Sequence, residues 1–197
     1  MAADRRSGEP GTKSAAPAGQ APVHGTALRA RLALYATAAA LLFVLERLVP
    51  NPVPWVRLGL ANIVTLVVLL EHGALSALVV VGLRLVLGAF FAGTLLGPQF
   101  LLSGCGAVAS WGVMAAAVRW GERLWSPIGV SLLGSAAHAV AQLALANALF
   151  ATAGALWVLL PFFLGLSIVT GGVTGVLASA VVARLALARR PAVEAAP

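Results

Sequence analysis

Glu46, Arg57, Asn62, Arg84, His138 and Gln142 are polar residues set in or beside long hydrophobic stretches. A charged side chain in a hydrocarbon environment is costly, by about 2.5–3.5 kcal/mol for a central arginine on insertion scales. Such residues therefore face a bundle interior, a cavity or a partner. Two arginines and a histidine against one glutamate favour an anionic ligand. The set holds no metal-binding pattern, since His138 has no second histidine or cysteine at ligand spacing, and no cofactor is expected. Thr65, Ser103 and Asn147 are further polar residues of the stretches.

The elements that must carry these residues are helices. Hydrophobic residues make up 60% of the 197-residue chain and charged residues 10%, so the chain has too little polar surface to cover itself in water. In lipid only helices and closed barrels satisfy every backbone group, and the alternation of a barrel strand is missing. The fold class is all-α, a polytopic membrane protein with six transmembrane helices. The spans are expected at about 31–49, 58–70, 74–91, 99–118, 127–150 and 156–187. Pro50, Pro52 and Pro54 end the first. The second is short against the roughly 20 residues a bilayer needs; it either begins within the Pro-rich loop or meets a thinned membrane. Pro161 is the expected entry to the sixth, and Gly171-Gly172 an expected kink.

Residues 1–27, rich in Pro, Gly, Ala and Ser, form an expected disordered cytoplasmic tail. Residues 28–188 form one six-helix domain, and residues 189–197 a second short tail. The net charge of +7 reflects basic residues flanking spans, not nucleic-acid binding. Counted on alternate sides, ten Lys and Arg fall with the termini (Arg5 to Arg31, Arg119, Arg123, Arg184 to Arg190) and two with the opposite face (Arg47, Arg57). The bias predicts a cell-membrane protein with both termini in the cytoplasm.

With that topology, Glu46, Arg57, Asn62, Arg84, His138 and Gln142 fall in the middle or outer half of the membrane. His138 and Gln142 are four apart and share a helix face, with Ser135 three residues before His138. The asymmetry predicts a pocket open to the outside. Glu46 is expected to hold an arginine in place, or to pair with Arg84 in a purely structural role. Small residues at Ala36 and Ala40, Gly104 and Ala107, Gly129 and Gly134, and Gly171, Gly172 and Gly175 allow close helix packing. Ala36 and Ala40 also offer a docking face for a partner membrane protein.

No G-x-x-x-x-G-K-[ST] motif occurs, so the chain does not itself couple transport to nucleotide hydrolysis. It has no pair of Asp-rich motifs to hold a magnesium diphosphate and no Ser-His-Asp or Cys-His set. Cys105 is the single cysteine, which excludes an internal disulfide.

The run Glu46-Arg47-Leu48-Val49-Pro50 through Arg57-Leu58-Gly59-Leu60-Ala61-Asn62-Ile63-Val64-Thr65-Leu66 resembles the first loop of the Gx transporter family, also labelled heptaprenyl diphosphate synthase component I. Gly82-Leu83-Arg84-Leu85-Val86-Leu87-Gly88 and Gly129-Val130-Ser131 through His138 to Gln142-Leu143 fit later blocks. Trp55, where that pattern commonly has Gly, and Ala139, where it commonly has Asn, depart from it. The family is similar to the substrate-binding S components of energy-coupling-factor transporters. That resemblance implies a six-helix bundle with an outward pocket under the first loop. It implies a membrane coupling subunit and cytoplasmic ATPases as partners, with Ala36 and Ala40 at the coupling contact. The synthase label implies a different role, a non-catalytic membrane subunit associated with a prenyl diphosphate synthase.

Overall fold

Leucine, alanine and valine dominate each apolar stretch, and prolines and glycines punctuate the joints between them. In the computed structural model this arrangement gives helices. The structure describes residues 23–48, 59–121, 125–150 and 154–188, and no strand occurs among them. The six helices are α1 (Val23–Leu48), α2 (Leu60–His72), α3 (Ala74–Phe91), α4 (Pro98–Trp120), α5 (Pro127–Phe150) and α6 (Leu160–Ala188), with a short 3-10 turn, Ala155–Leu159, before α6. Five are long and apolar enough to cross a membrane, and α2 is a shorter apolar helix. α1 begins at Val23, so it takes in residues that composition assigned to the tail.

The joints follow local chemistry. Pro98 and Pro127 open α4 and α5, and Pro161 is the second residue of α6, the first-turn positions where a missing N–H costs nothing. α2 and α3 are separated by Gly73 alone, at φ 83°, a backbone conformation open to glycine at little steric cost. α6 runs unbroken through Gly171 and Gly172. Gly171 and Gly175 are the working pair on that helix. A Cβ at Gly175 would come within 2.7 Å of the Cα of Ile128, and one at Gly171 within 3.1 Å of the Cα of Leu132. Bare backbone at these positions lets α6 lie directly on α5. Gly172 faces no atom within 4 Å.

Successive helices run antiparallel. Tyr35, midway along α1, meets His72 at the end of α2 edge to face with ring centroids 5.6 Å apart. Trp111, late in α4, donates from Nε1 to the carbonyl of Ala74 at the start of α3 (2.8 Å). The packing divides the bundle into two three-helix groups. α1, α2 and α3 pack on one another, α4 and α6 each pack on α5 between them, and the groups meet chiefly where α2 touches α6 and α3 touches α4.

The main apolar core lies toward the end that carries the termini. Ala39, Leu66, Val67, Val68, Leu69, Ala77, Val80, Met114, Val130 and Ala178 form it, each at most 3% exposed. Side chains such as Leu34 and Leu41 on α1, and Ile168, Val169 and Val173 on α6, are exposed, as lipid-facing residues are.

Ala36 and Ala40 require a correction to the docking expectation. They are 1% and 5% exposed, on a helix that packs on α2 and α3. Their small size serves packing inside the chain, and the outward face of α1 is built by Leu34, Leu41 and Leu45. Spacing alone reports that two residues share a face and not which way the face points.

Candidate functional site

The other half of the bundle, toward the α1–α2, α3–α4 and α5–α6 connections, does not close. It encloses a cavity of about 110 Å³. Every helix contributes to its wall. α1 gives Phe43 and Glu46 from its last turns, and α2 gives Ala61 and Asn62 from its first. α3 gives Arg84 and Leu85; α4 gives Ser103 and Ala107. α5 gives Ser135, His138, Ala139 and Gln142, and α6 gives Phe163, Leu166, Ser167 and Thr170.

Of the residues singled out by type and spacing, Glu46, Asn62, Arg84, His138 and Gln142 line this one cavity. Arg57 lies outside the described residues. Glu46 is 4% and Arg84 6% exposed, and neither is an isolated charge. Asn147 does not line the cavity, and Thr65 lies one turn below it on α2.

Three local devices position the wall. Gly106 on α4 is the first. A Cβ there would stand 2.8 Å from His138 Nε2 and 2.9 Å from Gln142 Cγ, so the imidazole and the amide lie across bare backbone. Gly88 is the second. A Cβ there would meet the Phe43 ring at 2.4 Å, so Phe43 reaches the cavity over α3. The third is the start of α2. Gly59, at φ 76°, precedes the helix and lines the cavity. Its Cβ position is 3.6 Å from the hydroxyl of Thr174, near the middle of α6. α2 therefore starts inside the bundle, which is why thirteen residues suffice. No side chain caps its N-terminus and no acidic residue sits in its first turn. The first-turn N–H groups of a helix carry partial positive charge, so this end favours an anion, as the interrupted helices of membrane carriers do.

The hydroxyls of α6 act differently from the amides. Ser167 donates to the carbonyl of Phe163 (2.7 Å) and Thr170 to that of Leu166 (3.1 Å). Their protons serve their own helix, and their lone pairs remain as acceptors. Asn62 and Gln142 can donate and accept. The cavity thus joins a guanidinium, an imidazole, two amides and a carboxylate to walls of Phe43, Leu85, Phe163 and Leu166. A molecule with a polar, charged end and an apolar part fits that lining.

Sequence reading missed Gly106, Ser167 and Thr170 as site residues. Gly106 stands in a run of small residues, Gly104-Cys105-Gly106-Ala107, whose one outward member gave no sign of which glycine faced the site. The hydroxyls are cheap to insert because they bond to the preceding turn, so they do not stand out as Arg84 does.

No curated protein and no solved structure matches the chain. The family model described as heptaprenyl diphosphate synthase component I matches residues 34–181, a span that holds all six helices wholly or in large part and every described residue of the cavity, and the chain belongs to that family.

Proposed function

We propose that this membrane protein is a solute-binding component of a transporter, comparable to the S components of energy-coupling-factor systems. It captures a small anionic or amphipathic molecule from the side opposite its termini. The observation that carries this reading is a cavity to which all six helices contribute, with Arg84 and the uncapped start of α2 at its wall. The charged group of the solute is held by Arg84 with His138, Asn62 and Gln142, and Glu46 steadies the arginine. Arg57, close in sequence to the start of α2, belongs to the same set. The ten-to-two distribution of basic residues supports cytoplasmic termini and an outward cavity. A membrane coupling subunit and cytoplasmic ATPases supply the energy. Because Ala36 and Ala40 are buried, the contact with the coupling subunit uses another surface.

The family description supports a second reading, a non-catalytic membrane subunit of a prenyl diphosphate synthase. One experiment separates the two. In a Cys105→Ala background, Ser167→Cys is treated in intact cells with an anionic, membrane-impermeant thiol reagent. Labelling from outside supports solute capture, and labelling at Ala3→Cys or Ala195→Cys from outside overturns the orientation. Absence of labelling at Ser167→Cys from outside, with co-purification of a soluble prenyl synthase and no ATPase, favours the second reading.

A further inference from the structure

The connections at the two ends of the bundle differ in character. At the end with the termini, Glu71-His72 precedes α3, and Arg119, Glu122 and Arg123 stand between α4 and α5. At the cavity end, the sequence holds no Lys, Arg, Asp or Glu from Leu85 to Val118 or from Leu124 to Ala183. The α3–α4 and α5–α6 connections are therefore uncharged throughout. Apolar side chains at and beside them are turned outward. Phe90, Phe91, Phe150 and Phe162 are 53–70% exposed, Val158 81% and Leu96 82%. Water is an unfavourable setting for so much apolar surface. Leu96 sharpens the point. Among the described residues it alone, apart from glycines, has a positive φ, 64°, a conformation that crowds a side chain. Its own chain covers little of it, so only apolar surroundings offset that strain.

Helix length gives the depth of these connections. At 1.5 Å per residue, the 18 residues of α3 rise about 27 Å from the Glu71-His72 boundary. Along α4, Pro98 lies about 32 Å from Arg119. Both lengths end at the far edge of a hydrocarbon core roughly 30 Å thick. Along α6, Leu160 lies about 36 Å from Arg184, a length that tilt keeps within the interfacial layer. Trp157, 40% exposed, stands where amphipathic rings collect at that layer. The backbone suits the same setting. The N–H groups of Ala92, Gly93, Thr94 and Gly97 donate to the carbonyls of Gly88, Phe90, Ala89 and Thr94 (2.9–3.1 Å), so these donors need no water.

We propose that the α3–α4 and α5–α6 connections form a lipid-immersed rim. They are seated in the interfacial layer opposite the termini, with Leu96 and Val158 against the acyl chains. The rim continues the exposed apolar belt of Leu41 on α1 and Ile168 and Val169 on α6. It also fixes the depth of the cavity. Ser103 lies five residues beyond Pro98 and Arg84 seven before Phe91, about 7–11 Å beneath the rim. The polar wall thus stands at the level of the acyl chains, bounded on this side by an uncharged edge. The immersion stands independently of the transport reading, because it concerns only the chain and lipid.

Spin labels measure that depth. In a Cys105→Ala background, Leu96→Cys and Val158→Cys are labelled with a nitroxide in phospholipid nanodiscs. Collision with dissolved oxygen, which concentrates in lipid, is compared with collision with an anionic chromium oxalate complex, which lipid excludes. The oxygen-to-chromium ratio at both sites should exceed that at Ala195→Cys in the tail by at least about tenfold. It should approach the ratio at Val169→Cys on the exposed face of α6. Leu96→Asn gives a second measurement without a label. Asparagine tolerates a positive φ better than leucine, so in water the exchange would hold or raise the thermal unfolding midpoint. In lipid the amide is penalised, and the midpoint in nanodiscs should fall. A smaller ratio at either labelled site, or an unchanged or raised midpoint for Leu96→Asn, overturns the rim.

Discussion

The two ends of this bundle are made by the same six helices and behave as different materials. Toward the termini, Leu66, Val68, Val80 and Met114 interlock with almost no exposure. Toward the connections, the same helices carry Glu46, Asn62, Arg84, His138 and Gln142 around a cavity. The difference teaches where the bundle is closed by packing and where it is left open. Packed apolar side chains gain from contact wherever they meet, so they close a bundle. Buried charges and amides gain only when partnered, so they do not close a bundle by contact alone.

The largest effect should come from the glycines that set helix spacing for both ends. Gly175→Leu drives a side chain into the Ile128 backbone, which cannot give way, and should prevent assembly of the bundle, read as loss of the cooperative unfolding transition in detergent. A folded variant of unchanged midpoint would show that α5 and α6 do not rely on that approach.

Next in size, Leu66→Ala in the packed end should lower stability by about 2–5 kcal/mol, measured by chemical unfolding, with ligand affinity kept in the fraction that folds. Equal loss of binding would break the division of labour between the ends.

Arg84→Ala should do the reverse, and lose at least tenfold in ligand affinity for less loss of fold. A structural role for Arg84 would instead strand Glu46 and destabilise the protein, by about 3–5 kcal/mol if the two form a buried pair. Glu46→Gln with Arg84→Met would then restore the fold, so the double variant decides which applies.

Smallest of the four, Gly106→Ala introduces a methyl group 2.8–2.9 Å from His138 and Gln142. It should weaken binding several-fold, about 1 kcal/mol, because flexible side chains can give way where backbone cannot. The readout is a dissociation constant alongside an unchanged unfolding midpoint. No change in affinity would place His138 and Gln142 outside the recognition set.

Sequence alone determined the medium and the class of fold. Sixty per cent hydrophobic residues in six runs leave no soluble solution, because backbone groups in lipid must be satisfied within helices. It also pointed to polar residues that line the cavity, since Arg84 or Glu46 in a span is too costly to be there without an interior to face. Tertiary structure decided what spacing leaves open. It turned Ala36 and Ala40 inward, chose Gly171 and Gly175 over Gly172 as the contact with α5, and started α2 inside the bundle beside Thr174. A helix period fixes which residues share a face, but the rotation and depth of that face come only from the helices packed against it.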